Sequence, residues 1–290
     1  MRVRVSGAVE PFGKHIKQVW GLDEWLGVDN ETEEVLFFGL YNDHDYDAYR
    51  IWTGKRSVFW CGSDIIRLLN GWEYQRIVKL YPAKHYCENE VEYENLKKVG
   101  IKAEIIPSFL DNLNNYPCSY EWSKEPHIFL CGHNGREDEY GLDVVRRIAD
   151  RVPYSTFHIY GIEKDSKYFE TAADIKPLNK MISVDIDFQN IWYHGKVPEG
   201  QFNNEITKYQ CGLRTNEHDG NSEVSMKCIL NGGYPITRIK YPCIWNYDTD
   251  DELVSLIDKL RYMKQQNLEA RSYYLKNLNK YPWVKGYGKS

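Results

Sequence analysis

The chain has 290 residues, of which 42% are hydrophobic and 14% aromatic, and a formal net charge of −5 at pH 7. This length fits about two domains of ordinary size, which fold without disulfides or a structural metal. The acidic balance argues against a protein that coats nucleic acid, because such proteins gain their affinity from lysine and arginine on phosphates.

The seven cysteines include no C-x-x-C pair and their number is odd, which indicates free thiols in a reducing compartment. The first residues show no apolar region of signal-peptide length, and no apolar run approaches the ~20 residues that a membrane span needs. We therefore expect a cytoplasmic protein without a transmembrane segment. Peripheral contact with a membrane stays open.

Short apolar strands alternate with helical stretches in the first part of the chain. The pattern predicts strands at 35–40, 57–60, 76–80 and 102–106. Between them it predicts a helix rich in tyrosine and aspartate, and further helices at 62–69 and 88–99. Strands that alternate with helices indicate a parallel sheet with helices on its faces.

Residues 111–126 interrupt this alternation with a stretch rich in asparagine and proline, which is typical of a linker. The alternation then resumes. Strands are predicted at 127–131, 156–160, 191–194, 211–214 and 235–239. Helices are predicted around 142–149, at 202–209 and 222–231, after a capping box at 249–252, and at 268–279.

We divide the chain accordingly into an α/β domain at 1–115, a second α/β domain at 125–265, and a C-terminal helix with its tail at 266–290. Ligands of open α/β sheets bind beyond the carboxyl ends of the strands. With two such halves, the cleft between them is the expected site.

The loop between the strand that ends at Arg214 and the next helix carries the strongest chemical signal. Its free backbone N–H groups and the positive end of the helix dipole favour an anion. Gly220 would let a phosphate approach the backbone, and Arg214 would supply a fixed charge. Asp219 would accept hydrogen bonds from hydroxyl groups. The alternative is that Asp219 and Ser222 are simply helix caps.

Two further strand ends carry similar loops. One strand ends at Gly132, and a loop that contains Gly135 and Arg136 leads into a helix, which suits phosphate binding. Another strand ends at Gly195, and Val197 and Pro198 follow it. Each of these loops is, by itself, also compatible with an ordinary turn.

Together the three segments resemble the second domain of GT-B glycosyltransferases, of the group-1, retaining, nucleotide-sugar-dependent kind. Gly195–Pro198 is similar to the turn that abuts the nucleobase in that family. Asp219 and Lys227 have the spacing of the family's E-x7-E pattern, and Gly232 follows five residues later. The segment Gly132–Gly141 corresponds to the loop that faces the donor diphosphate.

The resemblance implies two Rossmann-like domains that face each other across a cleft. Residues 1–115 would form a shortened acceptor-side domain, and residues 125–265 would form the domain that binds the nucleotide-sugar donor. The resemblance also implies transfer of a sugar from a nucleotide-sugar donor to a glycan or another hydroxyl acceptor, with retention of configuration and without a metal or other cofactor. Asp219 would hold the sugar hydroxyls, and Val197 and Pro198 would contact the base. Arg136, Arg214 and the amides of residues 220–222 would stabilise the diphosphate.

The resemblance assigns the remaining candidates to three groups. The catalytic group is Asp219, Arg214 and His44. The acceptor side is Asp64 and Glu90. The donor-binding group is Gly132, Arg136, Val197, Pro198, His218, Gly220, Asn221, Ser222, Glu223 and Lys227.

Two features depart from the family. Lys227 stands where the family has a glutamate for the ribose hydroxyls, and a cation cannot accept those hydrogen bonds. Glu223, one turn earlier, would then take over, or the donor is held differently, or activity is lost. In addition, 34 residues precede the first clear strand, and residues 7–13 are the only candidate for the family's N-terminal glycine-rich loop.

Three alternatives stay open at this point. The first is a non-catalytic nucleotide- or glycan-binding module of the same fold. The second is a metal-dependent GT-A transferase, in which a D-x-D string binds a divalent ion. Such strings occur at 43–45, 45–47, 185–187 and 248–250. The third is a DNA-glucosylating enzyme of the phage type, which the acidic balance disfavours.

Overall fold

The computed structural model describes residues 1–27, 33–118, 123, 125–162, 183–185 and 188–285. The chain forms two compact units. Unit 1 comprises Met1–Leu113, His218–Asn221 and the chain from Leu275 onward, and unit 2 comprises Asn114–Glu217 and Ser222–Tyr274. The division into an acceptor-side and a donor-side domain concerns function and stays a prediction.

The described part of unit 1 is built on a parallel sheet. Its strands are β1 (Arg2–Val5), β2 (Asp23–Glu24), β3 (Glu34–Phe38), β4 (Lys55–Phe59), β5 (Lys84–Cys87) and β6 (Ala103–Ile105). Its helices are α1 (Phe12–Trp20), α2 (Asp43–Ile51), α3 (Ser63–Asn70), α4 (Trp72–Leu80) and α5 (Glu90–Lys98). The strands lie in the order β2-β1-β3-β4-β5-β6, and every neighbouring pair is parallel.

Strand β3 shows why this sheet forms. Its residues 35–38 are all buried, as expected for a central strand that is covered on both faces. Val35 and Phe37 pack in one core cluster, which includes side chains of α2 and α3. Leu36 and Phe38 pack in a second cluster with Trp20 of α1 and with Tyr281.

One predicted strand of unit 1 is wrong, and three described strands were missed. Residues 76–80 belong to α4, where Val78 is the one buried residue. Burial of a single face is typical of a surface helix, whereas a central strand buries consecutive residues. The missed strands are β1, which pairs with β2 and β3, the two-residue strand β2 itself, and β5, which pairs with β4 and β6. Residues 7–13 therefore follow a strand and lead into α1.

Unit 2 is built on a second sheet. Its strands are β7 (His127–Cys131), β8 (Thr156–Tyr160), β9 (Ser183–Asp185), β10 (Phe188–Gly195), β11 (Cys211–Arg214), β12 (Ile236–Thr237) and β13 (Trp245–Asn246). The described strands lie in the order β13-β12-β11-β7-β8-β10-β9, and β9 alone among them pairs antiparallel. The helices are α6 (Leu142–Ile148), α7 (Glu199–Ile206), α8 (Glu223–Leu230), α9 (Asp250–Leu260) and α10 (Leu268–Asn277).

The sequence pattern of unit 2 predicts its structure well. The predicted strands 127–131, 156–160 and 211–214 have the observed bounds. The predicted capping box is present, because the Thr249 side chain and the Glu252 side chain each accept a backbone N–H of the other residue. Helix α7 begins earlier than predicted, at Glu199, directly after Pro198.

The cysteines and the lengths of the helices concern two further expectations from the sequence. All seven cysteines lie in the described part of the chain and are free thiols. In the same part, every helix is too short or too polar to span a lipid bilayer.

Candidate functional site

Three strand ends of unit 2 meet at one edge of its sheet. The Gly132 N–H donates to the carbonyl of Tyr160 at 2.7 Å, and the Gly161 N–H donates to the carbonyl of Gly195 at 2.8 Å. A Cβ on Gly161, whose φ is +82°, would lie 2.3 Å from the Gly132 carbonyl oxygen. Glycine is therefore required at position 161. The loops after β7, β8 and β10 are thereby held at the carboxyl edge of the sheet, where the sequence predicts the donor.

Two predicted cations contact the same aromatic ring. The guanidinium carbon of Arg136 lies 5.5 Å from the centroid of the Tyr140 ring, and that of Arg214 lies 5.0 Å from it. Arg136 is also paired with Glu139. The loop after β7 and the end of β11 thus bring two positive charges together, as a diphosphate site requires.

Lys227 is buried among two carboxylates and a ring. Its ammonium lies 3.0 Å from the Glu223 carboxylate, 3.1 Å from the Glu199 carboxylate and 5.2 Å from the centroid of the Phe202 ring. Burial by itself would lower the pKa of Lys227, but the two carboxylates outweigh burial and raise it. Lys227 is therefore a fixed cation.

The ion pair of Lys227 with Glu199 connects α8 to the first residue of α7. Glu199 directly follows Pro198, so Lys227 fixes the end of the turn that the sequence assigns to the nucleobase. Glu223 keeps 55% of its side chain exposed. A carboxylate is thus available one turn before the position at which the family has its glutamate. In the same turn Val197 is half-buried, and Pro198 is exposed.

Residues His218–Asn221, which we call the docked loop, pack with unit 1. The Asn89 side-chain amide donates to the carbonyls of Asp219 and Gly220 at 3.1 and 3.3 Å. The Asn221 N–H donates to Glu88 Oε2 at 2.7 Å, and its side-chain amide donates to the Ser108 carbonyl. The loop is therefore held by the segments that follow β5 and β6.

These contacts correct two sequence-based roles. The Asn221 N–H, which was assigned to the donor phosphate, is bonded to a carboxylate of the protein. The space beside Gly220 is also filled, because a Cβ there would lie 2.0 Å from Glu88 Oε2. Ser222 caps α8 by accepting the Ser225 N–H, which agrees with the alternative that this serine is a helix cap. The Asp219 carbonyl accepts a hydrogen bond from Asn89. His218 is exposed.

Three buried carboxyl groups lie beside the docked loop in unit 1. Glu92 Oε2 accepts the Glu88 N–H at 2.7 Å. The pKa of Glu88 and that of Glu92 are both raised, mainly by burial. The nearby carboxylate of Asp219 raises both pKa values further. Burial also raises the pKa of Asp64 to about 7, although backbone N–H groups that donate to it, including that of Cys61, oppose the shift.

The three candidates of unit 1 lie in the first turns of helices that follow the neighbouring strands β3, β4 and β5, but they differ in exposure. Asp64 is completely buried, and its carboxylate accepts backbone N–H groups, so it anchors the turn before α3. His44 and Glu90 are exposed in the first turns of α2 and α5.

The D-x-D strings have other partners. Asp45 is buried and accepts from Arg4 at 2.7 Å and from the Ser6 hydroxyl at 2.6 Å. Asp250 pairs with Arg147 at 2.9 Å. Asp187 and the side chain of Asp185 lie outside the described residues. Within the described residues, no group of three or more histidine, cysteine or acidic side chains is arranged to hold a metal ion.

Sequence reasoning missed several residues of this region, above all Glu88 and Asn89. Both follow β5, and a strand end is where functional side chains of a parallel sheet are expected. The signal was hidden because the third strand was predicted at 76–80. The Tyr140 ring and Glu199 were also missed, since nothing in the local sequence marks them.

No family model and no curated protein matches the sequence. Solved structures do match. A TarM mutant from S. aureus, in complex with fondaparinux, α-GlcNAc-glycerol and UDP, matches with a TM-score of 0.59 at 10% identity, over 88% of this chain and 54% of its own. The pneumococcal O-GlcNAc transferase GtfA, in complex with UDP and GlcNAc, gives 0.58 at 15% identity, over 90% and 56%. Sucrose-phosphate synthase from Thermosynechococcus elongatus gives 0.62 at 8% identity, over 88% and 72%.

The chain has the GT-B fold. This confirms the two predicted Rossmann-like halves, and it rules out the GT-A architecture on which the D-x-D alternative depended. The chain spans about half the length of the TarM and GtfA structures.

Proposed function

We propose that this protein is a glycosyltransferase that moves a sugar from a nucleotide-sugar donor to an acceptor hydroxyl. The GT-B fold supports this proposal, since the similar TarM and GtfA structures both hold UDP. The observation that carries it is the pair of cations on the Tyr140 ring, because two neighbouring guanidinium groups beyond the carboxyl ends of strands suit a diphosphate.

The proposed roles of the residues follow from their chemistry. Arg136 and Arg214 stabilise the negative charge that develops on the leaving diphosphate. Val197 and Pro198 contact the base. Glu223 accepts the ribose hydroxyls, while Lys227 holds its carboxylate in place.

The reaction itself is proposed to need no nucleophile of the protein. Asp219 holds the sugar hydroxyls, and the leaving phosphate helps to deprotonate the acceptor on the same face, so that configuration is retained. The protein then contributes positioning and charge stabilisation. We further propose that the acceptor is a glycan or another hydroxyl compound, that no metal is required, and that the enzyme works in the reducing cytoplasm.

Lys227 favours a second candidate function, a nucleotide- or glycan-binding module without turnover. Its ammonium pairs with Glu223, which is proposed to accept the ribose hydroxyls, and with Glu199. If those ion pairs persist in the complex, the carboxylates are less free to bind hydroxyl groups. Donor binding without sugar transfer would support this second candidate.

A thermal-shift panel of UDP-, GDP-, ADP- and dTDP-sugars, with and without EDTA, tests the proposal. A ligand at 100 times its dissociation constant stabilises the folded protein by about 2.7 kcal/mol, which gives a clear shift. We expect one nucleotide class to raise the melting temperature equally with and without EDTA. A panel in which no nucleotide shifts the transition would contradict a donor site.

A further inference from the structure

A groove of about 370 Å³ in unit 2 lies against the face of the sheet that α7 covers. Its floor is formed by three histidines from neighbouring strands, His127, His158 and His194, which we call the histidine row. Trp192 borders it on the strand side, and Gln201 and Glu205 border it on the side of α7.

The histidine row runs diagonally across β7, β8 and β10. His127 Nδ1 lies 2.9 Å from His158 Nε2, and His158 Nδ1 lies 2.9 Å from His194 Nε2. The register of β10 against β8 shifts between residues 193 and 195, so His194 lies at an irregularity that can re-aim its side chain. Tyr209 stacks on His158 with ring centroids 4.2 Å apart, which fixes the centre of the row.

The row consists of neutral rings. Burial lowers the pKa of all three histidines, and that of His158 to about 3. Three neutral imidazoles carry three N–H groups, and two of these are used between the rings. We assign the third N–H to His194 Nδ1, because that nitrogen lies nearest to a carboxylate, 3.8 Å from Glu205 Oε2. With this assignment, each ring directs its Nδ1 N–H to the next group, and His127 Nε2 is a hydrogen-bond acceptor.

The other polar groups of the groove are also mainly acceptors. The Glu205 carboxylate accepts from the Tyr160 hydroxyl at 2.6 Å and from the Gln201 amide at 2.8 Å, which leaves the Gln201 carbonyl oxygen to accept. None of the described lining residues is a lysine or an arginine. The groove therefore suits a ligand that donates many hydrogen bonds and carries no negative charge.

Trp192 adds an apolar platform, because this residue is 36% exposed at the border of the groove. Aromatic rings offer a flat apolar face to the C–H groups of a pyranose, while acceptors around the ring bind its hydroxyls. The neutral imidazoles do not converge on one point as metal ligands do, since their nitrogens are bonded to each other. The volume lies at the small end of ligand sites, which span roughly 300–1,000 Å³.

We propose that this groove is a binding subsite for a neutral carbohydrate of one or two pyranose rings. Trp192 stacks on the sugar, and His127 Nε2, the Gln201 carbonyl oxygen and Glu205 accept its hydroxyl protons. The subsite adjoins the proposed nucleobase turn through Val197, which also lines the groove. It does not depend on sugar transfer, so it stands or falls separately from the proposed function.

Fluorine NMR of the full chain labelled with 5-fluorotryptophan tests the subsite. The Trp192 resonance is assigned by its loss in W192F. Methyl α-D-glucopyranoside and N-acetylglucosamine are the probes, with choline chloride and inorganic phosphate as comparisons. We expect at least one sugar to shift the Trp192 resonance saturably, while phosphate and choline leave it unchanged.

Two controls separate specific binding from bulk effects. The Trp72 resonance serves as an internal control, since Trp72 lies in unit 1 and is 67% exposed. In Q201A the apparent dissociation constant of the sugar should rise several-fold, because one acceptor is lost. The proposal is overturned if neither sugar shifts Trp192, if Trp72 and Trp192 shift alike, if Q201A binds as the wild type does, or if choline alone produces the shift.

Discussion

The backbone N–H of Asn221 donates a hydrogen bond of 2.7 Å to the carboxylate of Glu88. This contact binds the docked loop to the end of β5, and Gly220 lies against the same carboxylate. An amide that sequence reasoning reserved for a phosphate of the substrate is thus used to position the loop. Asp219, the residue proposed to hold the donor sugar, is placed by these contacts.

Replacing Gly220 with alanine tests how closely the loop is fitted. The new Cβ would lie 2.0 Å from Glu88 Oε2, so either the loop or the buried carboxylate must shift. Overpacking of this kind costs about 1–3 kcal/mol. We expect G220A to lower the free energy of unfolding by that amount in chemical denaturation and to reduce sugar transfer.

Gly200 supplies the matched control. It lies in α7, and a Cβ there would meet nothing within 4 Å. Since alanine is the better helix former by up to about 1 kcal/mol, G200A should be neutral or slightly stabilising. Equal stability of G220A and G200A would show that the docked loop is not held as described.

Asn89 has two functions that substitutions can separate. Its side-chain oxygen caps α5 by accepting the Glu92 N–H, and its amide donates to the docked loop. Aspartate caps a helix as well as asparagine does, but it cannot donate to carbonyls. We therefore expect N89D to keep α5 intact and to accelerate hydrogen exchange at the Asn221 amide.

N89S keeps a capping oxygen without adding a charge. It therefore distinguishes the loss of the amide donor from the repulsion between the new carboxylate of N89D and the loop carbonyls. Each lost hydrogen bond should cost about 0.5–1.5 kcal/mol. Exchange at Asn221 as slow in both variants as in the wild type would mean that Asn89 does not hold the loop.

The ion pairs of Lys227 predict the outcome of restoring the family residue. K227E would place a third carboxylate beside Glu199 and Glu223 in a buried position. Because one partner of each ion pair is lost, we expect a loss of about 1–3 kcal/mol in unfolding free energy and no gain in donor affinity.

The exchanged pair E223K with K227E restores one ion pair across the same helical turn. In a double-mutant cycle it should recover part of the stability that K227E loses. Purely additive effects of the two substitutions would contradict the proposed role of Lys227.

The histidine row predicts a pH dependence of unit 2. An unfolded histidine has a pKa of about 6.5. That of folded His158 is lowered to about 3, mainly by burial. Between these values the unfolded chain binds more protons, so stability is present above the unfolded pKa and is lost as pH falls toward 3.

H158Q removes this titration while it keeps a group that donates and accepts. Urea unfolding at several pH values below about 6.5 should give a steeper loss of stability for the wild type than for H158Q. Parallel curves would mean that His158 is not held in its neutral form by the fold.

The elements that were predicted correctly are those whose sequence signal is local. The apolar runs of β7, β8 and β11 and the capping box at Thr249 are local patterns, and the structure confirms them. The segment 76–80 failed because Ile77 and Val78 resemble a strand, although one face of this helix is buried. That distinction depends on tertiary packing and not on propensity.

The positions of the site residues were harder to predict than the fold. Asp219 and Asn221 are 130 or more residues from Glu88 and Asn89, so no local pattern connects them. The histidine row depends on the order β7-β8-β10 and on the register of these strands. Lys227 was noticed from its spacing, but its partner Glu199 was not.

Sugar transfer is the most direct test of the central claim. The donor identified by thermal shift would be incubated with candidate glycan acceptors. The amount of transferred sugar and the amount of released nucleoside diphosphate would both be measured. Loss of one charge-stabilising group costs about 10²–10³ in rate at comparable sites, so we expect a loss of that order in R214A. We expect D219A to lose most of its transfer as well, because it removes the group proposed to hold the donor sugar. Substitutions R50A and D47A, which break an exposed ion pair in α2, are the matched controls and should leave transfer unchanged. The account predicts equal amounts of transferred sugar and nucleotide product in the wild type and almost none in R214A and D219A. Wild-type rates in both of these variants, or bound donor that never turns over, would contradict it.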